Sequence, residues 1–121
     1  METAVQERRE SQRLPDSLVV RHRVLGSRSN KERSVTKNLS FHGVGLPTSR
    51  RLSLRSVVEM EIIIPMQILP IFALGEVMWM KETWENARRL YDIGLRITDI
   101  DEFDEDRIQK YIQVRSCETQ G

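Results

Sequence analysis

Cysteine is almost missing from this chain. Cys117 is the single one among 121 residues, so no disulfide can close within the chain and no cysteine-based metal cluster can form. A cytoplasmic, reducing setting is the expectation. Histidine is nearly as scarce, and His22 and His42 have no metal-ligand spacing to each other or to carboxylates. Aromatic residues make up only 6% and sit mostly in apolar surroundings. A single-stranded nucleic-acid barrel needs stacking rings on a basic face, so neither DNA nor RNA is expected as a partner. Long hydrophobic runs are absent. The most apolar stretch, Ile62 to Leu74, is short and broken by Pro65, Gln67 and Pro70, which argues against a membrane span. The N-terminus has no apolar core of a signal peptide. Catalytic machinery is lacking too: there is no nucleophile–base pair and no glycine-rich phosphate loop leading into a helix. The chain is therefore read as a non-enzyme without metal or cofactor.

What is present fits one domain. The length suits a single barrel or sandwich core, and 39% hydrophobic with 31% charged residues marks a globular chain. The formal net charge of +1 hides an asymmetry. Residues 1–60 carry 12 Lys/Arg against 6 Asp/Glu, a balance of +6, whereas residues 61–121 carry 7 against 12, a balance of −5. The basic half suits an anionic ligand, although opposite-sign halves also arise from plain pairing or solvation.

Residues 1–16 are polar and lack an apolar period, which predicts a flexible N-terminal arm. Pro15-Asp16 marks the entry into ordered structure. From Ser17 to Leu25 the pattern alternates, with Leu18, Val20, His22 and Val24 on one face of a strand. Gly26 to Asn30 reads as a hairpin tip. Arg33 to Ser40 returns as one strand, Val35 and Leu39 inward and Thr36, Asn38 and Ser40 outward. Gly43, Gly45 and Pro47 predict an irregular segment, with Phe41 and Val44 anchoring the turn. Val57 to Ile64 is a strand with Val58, Met60, Ile62 and Ile64 on one face. Pro65 to Pro70 is an apolar connection, read as core or as a partner or self-association surface. Ile71 to Thr83 carries apolar residues on both faces, which predicts two-sided burial. Trp79 and Trp84 are assigned to packing, although the strand holding Trp79 could also approach a site. A turn at Glu85-Asn86-Ala87 leads to a strand over Leu90–Thr98, with Tyr91, Ile93, Leu95 and Ile97 inward. Asp104 is a candidate N-cap for a helix over about 104–115, docking through Ile108, Tyr111 and Ile112. Six strands and a terminal helix predict an all-β fold, a closed or nearly closed antiparallel β-barrel with a C-terminal helix.

Two short stretches stand out chemically. Arg9-Glu10-Ser11-Gln12-Arg13 spaces two guanidiniums as RxxxR, with Arg8 just before them. Asn38-Leu39-Ser40-Phe41-His42-Gly43 puts an amide and a hydroxyl on one strand face, then a glycine that permits a sharp turn or a close approach. Each has an ordinary reading, as a solvated basic tail or as a plain strand exit. The ordered pair, with 24 residues between its halves, resembles the signature of the PilZ domain family, RxxxR followed by [D/N]xSxxG. The resemblance runs from about Glu7 to Val114. It implies a six-stranded PilZ-type β-barrel over residues 17–121 that binds the bacterial second messenger cyclic di-GMP.

The ligand-binding residues carried over are Arg8, Arg9, Arg13, Asn38, Ser40 and Gly43. A guanidinium meets the adjacent O6 and N7 acceptors of guanine bidentately, or takes a phosphate. The Asn38 amide can accept from a guanine edge, and Ser40 can bond a base or a phosphate. His42 fills a variable position of the motif. The family implies that the arm folds over the ligand and signals to an unidentified protein partner in motility, exopolysaccharide or biofilm control. The protein itself is expected as a monomer or a homodimer. A rival reading is a PilZ-like interaction scaffold that takes no nucleotide.

Overall fold

A computed structural model describes residues 17–40 and 42–120, with side chains through Arg115. Arg8, Arg9, Arg13, the Pro15-Asp16 entry and Phe41 lie outside the described residues. Seven strands and one helix follow in order: β1 (Val19–Val24), β2 (Glu32–Val35), β3 (Asn38–Leu39), β4 (Gly43–Thr48), β5 (Val57–Ile63), β6 (Ile71–Glu85), β7 (Arg88–Ile100) and α1 (Glu102–Gln120). All pairings are antiparallel, in the order β2-β1-β5-β6-β7-β4-β3.

That order forces curvature. β2 and β3 stand at opposite ends of the sheet, yet only Thr36 and Lys37 separate them in the chain. Two residues bridge on the order of 10 Å, so the two edges must lie side by side. The result is a curled antiparallel half-barrel. At the seam the Ser34 hydroxyl donates to the Pro47 carbonyl at 2.7 Å, and Thr48 Oγ1 donates to Glu32 Oε1 at 3.0 Å.

Seven strands stand in place of the expected six: the predicted strand over Arg33–Ser40 breaks in two at this corner, and Gly43–Thr48 pairs as a strand of its own. Thr36 N bonds Leu18 O at 2.9 Å, and the next amide, Lys37 N, bonds Gly45 O at 2.7 Å. The chain thus leaves one partner strand for another within one residue. The break also shifts the alternation: Ser34, Thr36 and Leu39 are buried, whereas Val35 is exposed, against its assignment to the inner face. Thr36 affords its burial by accepting Leu18 N at 2.9 Å through its hydroxyl.

Gly43 to Thr48 is likewise a strand, not irregular. Alternate residues of β4 aim their backbone at the seam: Gly45 O accepts Lys37 N, and Pro47 O accepts Ser34 Oγ. Pro47 therefore stands where no ladder N–H is needed on the β7 side. Inside the curl lie Leu18, Val20, Leu46, Met60, Ile62, Ile71, Val77 and Ile93, all essentially without solvent contact. The inner faces of β1, β5 and β7 follow the alternation of the sequence. His22 is buried among them, its Nε2 2.8 Å from Ser34 Oγ. The Ser34 hydrogen goes to Pro47, so His22 Nε2 carries the donated proton. Burial holds the His22 imidazole below its ordinary pKa, with Glu32 opposing more weakly.

β6 does not bury both faces. Ile71, Ala73, Gly75 and Val77 point inward, then an irregularity between Val77 and Trp79 breaks the alternation. Beyond it, Trp79 to Glu85 and Arg88 to Ile93 form a two-stranded ribbon, largely exposed, closed by Asn86 and Ala87 with φ of 53° and 63°. Positive φ at both loop residues is the type I′ requirement.

The helix begins two residues before the expected cap. Asp101 caps it, accepting Phe103 N at 3.0 Å through Oδ2 and Glu105 N at 2.8 Å through its carbonyl. Asp104 instead accepts Phe72 N at 3.3 Å and pairs with Arg107 at 3.0 Å. Ile108 and Ile112 are buried against the barrel and Tyr111 packs beside them. Among the described residues, no helix is long and apolar enough to cross a membrane.

Candidate functional site

β3 is only two rungs long, Asn38 opposite Gly45 and Leu39 opposite Val44. Leu39 is buried and pins the strand, while Asn38 is half-buried on the outer face. A hypothetical Cβ on Gly45 would lie 2.7–2.9 Å from the amide atoms of Asn38. The amide group thus rests directly on glycine backbone, where any side chain would push it away. Ser40 N bonds Gly43 O at 3.0 Å and closes the turn. Gly43 has a reason of its own: a Cβ there would meet the carbonyl oxygen of Leu95 at 3.0 Å. The close approach the glycine permits is therefore already used by β7.

Asn38, Ser40 and Gly43 are thereby gathered on one side of a surface groove of about 380 Å³. His42, exposed, lies on the same rim, and its carbonyl accepts Ile97 N at 3.0 Å. The opposite side comes from β6 and β7: Met78, Trp79, Gly94 and Arg96. Arg96 was given no site role from the sequence, and Trp79 was assigned to packing first, with an approach to a site as the alternative. Trp79 is 48% exposed, so it is not core packing. A Cβ on Gly94, its cross-strand partner, would fall 2.1 Å from Trp79 Nε1. The indole therefore lies across bare backbone, an aromatic covering a strand glycine, with solvent on its other side. A second recess, lined by Arg51, Leu54, Met78 and Trp79 among others, adjoins it through those two shared β6 side chains.

Arg96 stands opposite Gly43 in register. Its Nη2 lies 2.7 Å from Glu76 Oε1, and Arg55 reaches the other oxygen of that carboxylate at 3.1 Å. Hydrogen bonds from Arg96 first and Arg55 second hold the Glu76 carboxyl below its ordinary pKa. Glu76 thereby fixes the direction of Arg96 at the groove edge, while a guanidinium with five donors keeps others for a ligand. The alternation in Leu90–Thr98 assigned Arg96 to the outer face, and the glycine at position 94 was the one available hint of an aromatic lying across the strand.

The groove offers a neutral amide, a hydroxyl, one oriented guanidinium and one flat indole. Such a set favours a planar ligand with hydrogen-bonding edges and negative charge.

Comparison with known proteins agrees with the fold. No curated protein matches the chain. Among solved structures, it is similar to the Bacillus subtilis inhibitor of motility MotI/DgrA, with a TM-score of 0.73 at 16% identity over 96% of this chain and 55% of that one. It is similar to MrkH of K. pneumonia, with a TM-score of 0.75 at 18% identity over 96% of this chain and 53% of that one. This chain thus spans about half the length of both. The PilZ domain of Escherichia coli YcgR, solved with c-di-GMP, gives a TM-score of 0.67 at 16% identity over 94% of this chain and 95% of that one. The family model described as PilZ domain matches residues 7–113, a span that holds both motif halves and every strand of the half-barrel, and the chain accordingly belongs to the PilZ domain family.

Proposed function

We propose that this chain is a receptor domain for cyclic di-GMP and not an enzyme. The observation that carries the reading is the groove in which Asn38, Ser40 and Gly43 face Trp79 and Arg96. In this reading the Asn38 oxygen accepts from a guanine N1 or N2 hydrogen. Trp79 offers a flat face to a base, and Ser40 and Arg96 take phosphate or base acceptors. Arg8, Arg9 and Arg13 close from the preceding arm, meeting a guanine O6/N7 edge or a phosphate. Ordering that arm costs entropy, so ligand acts as a switch that changes the surface offered to a protein partner. The pathway served is motility, exopolysaccharide or biofilm control, in the cytoplasm.

Isothermal titration calorimetry with cyclic di-GMP tests this directly. Micromolar or tighter binding is expected, and each of Arg9→Ala, Arg13→Ala and Asn38→Ala should weaken it by about 2 kcal/mol, the range of a charge-assisted or buried hydrogen bond. No heat from folded protein would overturn the reading.

A second reading, a scaffold that takes no nucleotide, is favoured by one observation. The connection between β5 and β6 exposes Met66 and Ile68 almost completely and Leu69 for the most part. It is held in place by Arg107, which donates to Gln67 Oε1 at 2.7 Å and also bonds the Leu69 carbonyl. A fixed apolar surface suits a protein contact. Partner capture that persists after Arg9 and Arg13 are removed, with no nucleotide bound by the parent chain, would select the scaffold.

A further inference from the structure

The β6–β7 ribbon has an open edge. β5 pairs with β6 only through Glu76, and the Arg55–Ser56 backbone pairs with Val77; from Lys81 to Glu85 no described strand runs alongside. The two-residue loop makes Glu85 and Arg88 a hydrogen-bonded pair. Alternation then aims the backbone groups of Glu82 and Trp84 outward, away from β7. Both residues are exposed, as are Lys81 and Glu85.

We propose that this edge pairs with the same edge of a second copy, antiparallel about a two-fold axis at Thr83. Only registers that place Glu82 and Trp84 in hydrogen-bonded positions satisfy the backbone. An axis at Glu82 would set Lys81 against Thr83, and one at Trp84 would set Glu85 against Thr83. The axis at Thr83 alone sets Lys81 opposite Glu85 twice, with Thr83 facing its own copy, and opposite charges and threonine pairs directly across strands are both favourable. Glu82 then faces Trp84 of the other copy, and the two Trp84 rings become diagonal neighbours within reach of each other. Arg89 already sits 5.5 Å from the centre of the Trp84 ring and 3.2 Å from Glu82, so each Glu82–Trp84 pair gains a cation beside it. The isologous contact closes on itself and stops at two copies. It joins two ribbons into a four-stranded sheet and leaves the groove at Asn38 open. The inference does not depend on the nucleotide reading.

Charge exchange tests it. Light scattering on the full chain without ligand, over a concentration series, should give a dimer that Lys81→Glu or Glu85→Lys each converts to monomer. The double variant should restore the dimer. Within one chain, Lys81 stands opposite Asp92 and Glu85 opposite Arg88, so rescue by the double exchange cannot come from those neighbours. Trp84 emission, read in a Trp79→Phe background, should shift to the blue as the dimer forms. A parent chain monomeric at millimolar concentration overturns the proposal, as does a dimer indifferent to the single exchanges.

Discussion

Single side chains decide how this barrel responds to acid and to ligand. His22 is buried with a depressed pKa, so the folded state resists a proton that the unfolded chain accepts near 6.5. Stability should therefore decline as pH falls below about 6.5 and stop declining on this account below the folded pKa. His22→Gln should flatten that interval. Urea midpoints for both proteins between neutral pH and pH 5 would check it; parallel curves would refute it. Gly45→Ala is the second residue-scale case. Its Cβ would displace the end of the Asn38 side chain, which is free to swing, rather than backbone. The expected outcome is loss of cyclic di-GMP affinity on the scale of Asn38→Ala, with a stability change of at most about 1 kcal/mol. Calorimetry and thermal melts on the same sample separate the two effects.

Among the elements, the helix and the β5–β6 connection stand or fall together. Arg107 donates to Gln67, to the Leu69 and Pro70 carbonyls and to Asp104, and it lies 5.7 Å from the Phe103 ring centre. Arg107→Ala should cost about 2 kcal/mol in denaturant unfolding, since charged hydrogen bonds that are half-shielded from water are lost. Hydrogen exchange should accelerate at residues 65–72 and in the first helical turn and remain unchanged in β1. The sequence showed the helix but misplaced its start, because Asp101 and Asp104 are both competent caps. Only the Phe72 amide waiting beside Asp104 tells them apart. β1, β5 and the core of β7 were legible because their alternation is unbroken. β2 and β3 were not, because a change of partner at Thr36–Lys37 resets the phase, and no local pattern encodes which strand lies alongside. The exposure of Trp79 was hidden for a similar reason, an irregularity one residue upstream. Of the groove, Asn38, Ser40 and Gly43 were singled out by their spacing in the sequence, and the fold gathers them on one rim. Arg96 and Trp79 reach the groove through cross-strand register, which the linear sequence does not carry.

For the whole molecule, the seam between β2 and β4 sets the cost of opening the barrel. A single hydroxyl, that of Ser34, takes the His22 proton and gives its own to Pro47. Ser34→Ala should leave a buried donor and a part-buried carbonyl without this partner, a loss of about 1–3 kcal/mol. Amide exchange should rise at both edges of the seam together, in β2 and β4. A loss confined to one edge would mean that the curl does not open there. Since β3 hangs from the same corner, a weakened seam should also slow ligand capture at Asn38 without changing the groove chemistry.

The glycine shelf beneath position 38 has one more consequence. It accepts a flat terminal group of fixed size, and a carboxylate has nearly the same outline as an amide. Asn38→Asp should therefore seat without disturbing the turn, exchanging a neutral acceptor for an ionised one. The amide never titrates, so position 38 itself adds no pH dependence to nucleotide affinity in the parent chain. The aspartate version should start stronger and fade as the medium approaches pH 4, near the ordinary aspartate pKa of about 3.9.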